Sequence, residues 1–254
     1  MSDAMTRGTA LIWVSGASGG IGRALVATVP WARARVIGIS RRQDSVSTEH
    51  IEADLSDPEQ WPRVGAAFRE AVTRFSGDRI VFVQAAGTIQ PIGFVGNVET
   101  RAYQENVLLN SAAPQVLGHL FIEAVQDVAA TRHLVMLTSG AAKSIYPGWA
   151  TYGAAKAGVD QWVRDTGAEQ GPDGVQVLAV APGTVNTEMQ TQLRATTPEE
   201  FPMRQKFIDL HRDGKLSDPN DVARKIWDLL DEPYDNGSVL DLRNLPEVRT
   251  PASA

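Results

Sequence analysis

The sequence predicts a doubly wound α/β fold, a parallel sheet of about seven strands with helices on both faces. Three observations carry this. Short apolar runs of strand length alternate with longer stretches of helical periodicity along the chain. The runs are apolar throughout, as strands covered on both faces require. The first run leads directly into a glycine-rich turn and then a helix.

Composition narrows the class. The 254 residues are 43% hydrophobic and 21% charged, an ordinary globular balance. A net charge of -6 argues against a nucleic-acid partner. The absence of cysteine excludes disulfides, Cys-ligated zinc and thiol catalysis, and fits a reducing compartment. No metal site is expected. The apolar runs are too short to span a bilayer, and Met1 to Thr9 has no signal-peptide core. A cytoplasmic protein without membrane partners is expected. No repeat or linker divides it, so one domain is expected over 1–254, with a dinucleotide-binding half at about 9–130 and a catalytic and lid half at about 131–243.

Ala10 to Val14 is the first strand, followed by Ser15-Gly16-Ala17-Ser18-Gly19-Gly20-Ile21-Gly22. Glycines let a backbone turn sharply beside a ligand, and the helix behind them offers free N–H groups to phosphate. Arg35 to Ser40 is the second strand. An NAD site would place an acidic residue about here for the ribose 2'-hydroxyl. Instead Ser40 is followed by Arg41 and Arg42, which can pair with a 2'-phosphate. NADP(H) is therefore the expected cofactor. His50 to Ala53 is a short strand ending at Asp54-Leu55, where the acid can reach an adenine ring.

Pro58 to Phe75 reads as a helix with Trp61, Val64, Phe68, Ala71 and Val72 on one face. Ile80 to Val83 is a strand ending in Gln84-Ala85-Ala86-Gly87, small residues over which a cofactor can lie. Thr100 to Val128 is helical, with a bend expected at Pro114 and Asn110 one turn before it. An Asn beside a freed carbonyl can join a proton path. Leu134 to Leu137 is the next strand. Val175 to Val180 is another, ending in Pro182-Gly183-Thr184-Val185-Asn186-Thr187, groups suited to a carboxamide. Glu188 to Lys215 is expected to be an irregular stretch with some helical character, in the place of a lid, Asp218-Pro219 to start a helix to Leu230, Ser238 to Leu242 to form the last strand, and Asn244 to Ala254 to be loose.

The chemistry is concentrated between Ser139 and Lys156. Tyr152 and Lys156 are four apart and share a helix face. A cation beside a phenol favours the phenolate, so Lys156 is expected to lower the Tyr152 pKa and make it an acid/base. Ser139 can hydrogen-bond a substrate oxygen. Trp149, Met189 and the residues from Gln190 to Phe207 are expected to shape an apolar pocket.

Taken in order, the glycine turn, Ser139, Tyr152-x-x-x-Lys156 and Pro182-Gly183 resemble the short-chain dehydrogenase/reductase family, with its Rossmann-type fold, over roughly residues 9 to 243. The segments 148–158, 187–190, 214–218 and 236–241 resemble its sepiapterin reductase and benzil reductase branch. The resemblance implies Asn110, Ser139, Tyr152 and Lys156 as catalytic residues. It implies a cofactor lined by Gly16, Ser18, Gly20, Ile21, Arg41, Arg42, Asp54, Leu55, Ala86, Gly87, Tyr152, Lys156, Pro182, Gly183, Val185 and Thr187. Asp241 stands where sepiapterin reductases hold the pterin. The family's N-N-A-G is Gln84-Ala85-Ala86-Gly87 here, so hydrogen bonding at that strand end must differ.

The expected activity is NADPH-dependent reduction of a ketone or vicinal diketone, with a homodimer, or a tetramer, as the assembly that the resemblance implies. The alternatives are a non-catalytic NADP(H)-sensing protein, which the intact Tyr152 and Lys156 disfavour, and an alcohol dehydrogenase working oxidatively.

Overall fold

The structure, a computed structural model, describes residues 9–43 and 46–245. Residues 1–8 and, from 246 onward, the tail expected to be loose lie outside the described residues. Seven strands form one sheet: β1 (Thr9–Ser15), β2 (Arg33–Ser40), β3 (Glu49–Glu52), β4 (Arg79–Gln84), β5 (Thr131–Leu137), β6 (Gln176–Ala181) and β7 (Val239–Asp241). Their spatial order is β3-β2-β1-β4-β5-β6-β7, and each pairing is parallel. From β1 the sheet builds outward to β3, then the chain returns past β1 and builds the other way to β7. That reversal between β1 and β4 opens a crevice at the strand carboxyl ends.

Successive strand residues point to opposite faces. Leu11 and Trp13 enter one core; Ala10, Ile12 and Val14 enter the other. On the first face pack α2 (Trp61–Thr73), α4 (Ala113–Val125) and α5 (Ala150–Gln170). Trp13 meets Phe68 edge to face with ring centroids 5.1 Å apart. On the second face pack α1 (Gly20–Ala27) and α8 (Pro219–Asp228), with Trp31 against Trp227 at 5.6 Å. Asp218 caps α8, its carboxylate accepting from the N–H of Asn220 at 2.7 Å.

The helix expected over Thr100 to Val128 is divided: a π-helical turn over Leu108–Ala112 links α3 (Thr100–Val107) to α4, in whose first turn Pro114 lies. Proline has no N–H to donate, and the wider turn ahead of it absorbs that mismatch. Asn110 sits inside this turn and is buried. The stretch after Thr187 has helical character in two places, α6 (Glu188–Arg194) and α7 (Arg204–Arg212), joined by irregular chain over 195–203. Both helices are too short for their periodicity to stand out in sequence. Among the described residues no helix is long and apolar enough to cross a membrane.

Candidate active site

β1 delivers the glycine turn to the crevice. Gly16 has φ +69°, and a Cβ there would stand 2.9 Å from the Cα of Ala86. Glycine alone lets the turn press against the end of β4. Gly19 precedes α1 and supplies no side-chain cap, so the first N–H groups of that helix are available to an acceptor. Ser15 secures the altered end of β4. Its Oγ accepts from the N–H groups of Ala85 at 2.9 Å and Ala86 at 3.0 Å. Gln84, buried beside them, has neither amide oxygen nor nitrogen paired among the described residues.

These elements line a cleft of about 350 Å³. Gly16, Ser18, Gly20 and Ile21 contribute from the turn, Asp54 and Leu55 from beyond β3, and Ala86 and Gly87 from beyond β4. Arg41 also lines it, with its side chain 75% exposed and its guanidinium 3.9 Å from the Asp54 carboxylate. Arg42, expected to act alongside Arg41, does not line the cleft. Its carbonyl accepts a 2.7 Å bond from the Ser40 hydroxyl.

A second lobe of about 260 Å³ adjoins the first and shares Ile21, Thr187 and Met189 with it. Ser139, Tyr152 and Lys156 line this lobe, as do Pro182, Gly183 and Val185. Its aromatic wall is a cluster around Trp149, whose ring lies 5.2 Å from that of Tyr152 and 4.9 Å from that of Phe201. Phe207 and Tyr146 complete it, with Lys206 donating a 3.1 Å hydrogen bond to the Tyr146 hydroxyl.

Ser139 follows β5, and its Oγ accepts from the Ala141 N–H at 3.2 Å. Tyr152 and Lys156 rise from successive turns of α5, and both are buried. The Lys156 ammonium donates to the Leu137 carbonyl at 2.8 Å and lies 5.7 Å from the Tyr152 ring centre. The electrostatics differ from the sequence expectation. Burial pushes the Tyr152 phenol above its ordinary value, and the group opposing that rise is the Ser139 hydroxyl, not Lys156. Burial also pushes Lys156 down to about 8, opposed by the Asp160 carboxylate one turn further along α5.

Asp160 was not singled out from sequence. It is buried, its Oδ1 has no hydrogen-bond partner among the described residues, and burial raises its pKa against the Thr138 hydroxyl and the charges of Arg164, Lys143 and Lys156. An Asp one turn after a Lys reads in sequence as an ordinary surface pair.

Asn110 lines neither lobe, yet it shapes the first. Its Oδ1 accepts from the Thr88 N–H at 2.9 Å, and its Nδ2 donates to the Thr88 carbonyl at 2.7 Å and to Asn106 Oδ1 at 2.9 Å. A Cβ on Gly87 would stand 2.9 Å from Asn110 Oδ1. Asp241 also lines neither lobe. It is held in two hydrogen bonds by the Arg243 guanidinium, from Nε at 2.9 Å and from the terminal nitrogen at 2.5 Å. Arg243 itself lines the second lobe and lies across Gly183, so the side chain presented there is the cation. Sequence position favoured the acid because the pairing depends on how the chain turns after β7.

The short chain dehydrogenase family profile matches residues 10–198. The chain belongs to the short-chain dehydrogenase/reductase family and is an oxidoreductase. It is 30% identical over 240 residues to the benzil reductase ((S)-benzoin forming) of Bacillus cereus, covering 89% of this chain and 96% of that protein. It is 29% identical over 256 residues to the sepiapterin reductase of Mus musculus, covering 92% and 97%. These similarities support the benzil reductase and sepiapterin reductase branch. A crystal structure of a short chain dehydrogenase/reductase from Saccharomyces cerevisiae has the same fold, with a TM-score of 0.80, 21% identity, and 94% and 97% of the two chains covered.

The family uses a nicotinamide cofactor. The residues here fit one: the cleft offers an uncapped helix start to a pyrophosphate, and it leads into the lobe holding Tyr152 and Lys156.

Proposed function

We propose that this protein is an NADPH-dependent carbonyl reductase acting on a ketone or vicinal diketone. The observation that carries the reading is the buried Tyr152 phenol beside Ser139 and Lys156, under an aromatic wall, in a lobe continuous with the dinucleotide cleft. Bound NADPH supplies the hydride. Tyr152 donates its proton to the carbonyl oxygen as charge develops there, and a raised pKa keeps that proton in place at neutral pH. Ser139 donates a second hydrogen bond to the same oxygen and stabilises its negative charge. Lys156 places a cation 5.7 Å from the Tyr152 ring centre, favouring the phenolate left after proton transfer, and would hold the ribose of a bound cofactor. Asn110 holds the Thr88 backbone and through it the floor of the cleft.

Arg41 supports the choice of NADPH. It lines the cleft at the end of β2 where a ribose 2'-phosphate would need a cation. Asp54 lies beside it, at the end of β3. The similarity to benzil and sepiapterin reductases supports a ketone flanked by a ring system or a second oxygen, and the rings around Trp149 give such a group an apolar wall.

The test is NADPH oxidation by the purified protein with benzil, sepiapterin and a simple aryl ketone, each repeated with NADH. The reading expects turnover of at least one with NADPH and little with NADH. Turnover of none of them, with NADPH bound, would move the protein to a cofactor-sensing role.

A further inference from the structure

The wall of the second lobe holds three cations, Lys156, Lys206 and Arg243, and no carboxylate. The chain that builds it carries a net charge of -6. Lys156 belongs to the catalytic group. The other two take no part in the hydride and proton transfers.

Lys206 stands on α7 and Arg243 on the turn after β7, so two separate elements bring them to one lobe. Lys206 is exposed at the rim. Its ammonium donates to the Tyr146 hydroxyl at 3.1 Å and lies 5.3 Å from the Tyr146 ring centre and 5.7 Å from that of Phe207. It pairs with no carboxylate among the described residues. Arg243 lies across the glycines that follow β5 and β6. A Cβ on Gly183 would stand 3.2 Å from its Cδ, and one on Gly140 would stand 3.4 Å from a terminal nitrogen. Gly140 is next to Ser139, so the guanidinium borders the catalytic group. Its proton is held more tightly than usual, chiefly by the bonds to Asp241 and more weakly by the Tyr146 phenol. Tyr146 is thus a neighbour of both cations.

These groups have donors to spare. Of three ammonium N–H groups Lys206 uses one on Tyr146, and of five guanidinium N–H groups Arg243 uses two on Asp241. The Tyr146 hydroxyl accepts from Lys206 and keeps its own proton to give. Asp241 offsets the charge of Arg243, and Lys143 bears in turn on Asp241, which leaves the charge of Lys206 unbalanced. The complement of such a set is an anion with several acceptor oxygens. A carboxylate fits, because its two oxygens match the planar guanidinium and take charge-assisted bonds.

We propose that Lys206, Arg243 and the Tyr146 hydroxyl bind a carboxylate carried by the substrate, so that the enzyme favours keto acids over uncharged ketones of the same shape. The inference rests on the carbonyl reductase reading and names a substrate class for its site. The aromatic wall sets the spacing. The Tyr152 ring adjoins that of Trp149 at 5.2 Å, and Trp149 adjoins Tyr146 at 5.5 Å. A ketone held at Tyr152 therefore reaches the anion site across a ring.

The test uses 4-acetylbenzoate, 3-acetylbenzoate and benzoylformate, each against its methyl ester. Values of kcat/KM with NADPH are compared in the wild type, Lys206→Gln and Asp241→Asn. Acids and esters differ in intrinsic reactivity, so the readout is the change in the acid-to-ester ratio between proteins. Lys206→Gln should lower the ratio about tenfold for at least one acid, the low end for a charge-assisted bond because this lysine is exposed. Asp241→Asn removes a carboxylate and frees the guanidinium, so it should raise the same ratio. Lost packing does not produce opposite shifts from two conservative exchanges. Added salt should reduce the wild-type ratio. A ratio that is the same in all three proteins for every acid would overturn the proposal.

Equilibrium binding of each acid and ester to the NADPH complex of Tyr152→Phe, with and without Lys206→Gln, separates this idea from the mechanism. If the wild type reduces none of the six compounds, the carbonyl reductase reading fails. Tighter binding of an acid than of its ester, lost with Lys206→Gln, would still uphold the anion site. Equal binding of every acid and its ester would end it.

Discussion

The Lys156 ammonium donates a 2.8 Å hydrogen bond to the carbonyl oxygen of Leu137, the last residue of β5. This bond fixes a cation at the junction of the sheet and the catalytic helix. The burial of that cation sets the pH at which the site should fail. Burial lowers Lys156 to about 8, and Asp160 partly restores its affinity for the proton.

Lys156 is charged below that pH and neutral above it, whereas Tyr152, raised by burial, stays protonated across the same range. Reduction should therefore fall as pH rises through about 8. Asp160→Asn removes the carboxylate that favours the ammonium, so the falling limb should move to lower pH. A pH profile of kcat/KM for both proteins checks this. An identical limb in the two would disconnect Asp160 from Lys156.

Arg41→Ala should weaken NADPH by about 10-fold and leave NADH nearly unchanged. Hydrogen bonds to charged groups are worth about 1.5–3 kcal/mol, and the exposure of this side chain argues for the low end. Dissociation constants for both cofactors, measured at two salt concentrations, check it. The wild-type advantage for NADPH should shrink with added salt. Equal losses for the two cofactors would make Arg41 a bystander.

Asn110→Ala removes the three hydrogen bonds by which this residue of the π-helical turn holds Thr88 and Asn106. The Thr88 N–H and carbonyl lose their side-chain partner, at about 1–3 kcal/mol for each group left unpaired. Thermal unfolding should drop by several degrees, since about 1 kcal/mol corresponds to roughly 2–4 °C in a chain of this size. An unchanged Tm would mean that Thr88 finds other partners.

His133 ends up buried on β5 near Arg79, and burial with that charge lowers its pKa to about 4. Between about 6.5 and about 4 the unfolded chain takes up a proton that the folded chain refuses, so stability falls as pH drops through this window. Tm measured at successive pH values should decline less steeply in His133→Asn than in the wild type. Parallel curves would show that other groups govern acid unfolding.

The sheet was largely legible because parallel strands covered on both faces must be apolar along their length, as Ala10 to Val14 is. Tyr152 and Lys156 were legible as a pair because residues four apart share a helix face, and Ser139 because it follows an apolar strand; the structure brings all three to one lobe. What escaped was set by the third dimension. The π-helical turn at Asn110 was hidden behind Pro114, whose effect on a helix is the stronger signal in sequence. The direction of the Tyr152 shift depends on how deeply α5 is buried, which spacing alone does not give. Arg243 lies two residues beyond Asp241, and only the turn after β7 puts the cation rather than the acid in the pocket wall. Arg41 and Arg42 look equivalent as a pair, yet successive residues at a strand end diverge and one alone lines the cleft.

The most direct test of the account is Tyr152→Phe, which deletes one oxygen from a buried ring and leaves the aromatic cluster in place. NADPH binding and NADPH oxidation with a vicinal diketone are measured on the same preparation. The account predicts unchanged cofactor affinity and a loss of reduction of about 100-fold or more, the usual contribution of a positioned proton donor. Reduction at the wild-type rate with NADPH bound would contradict it.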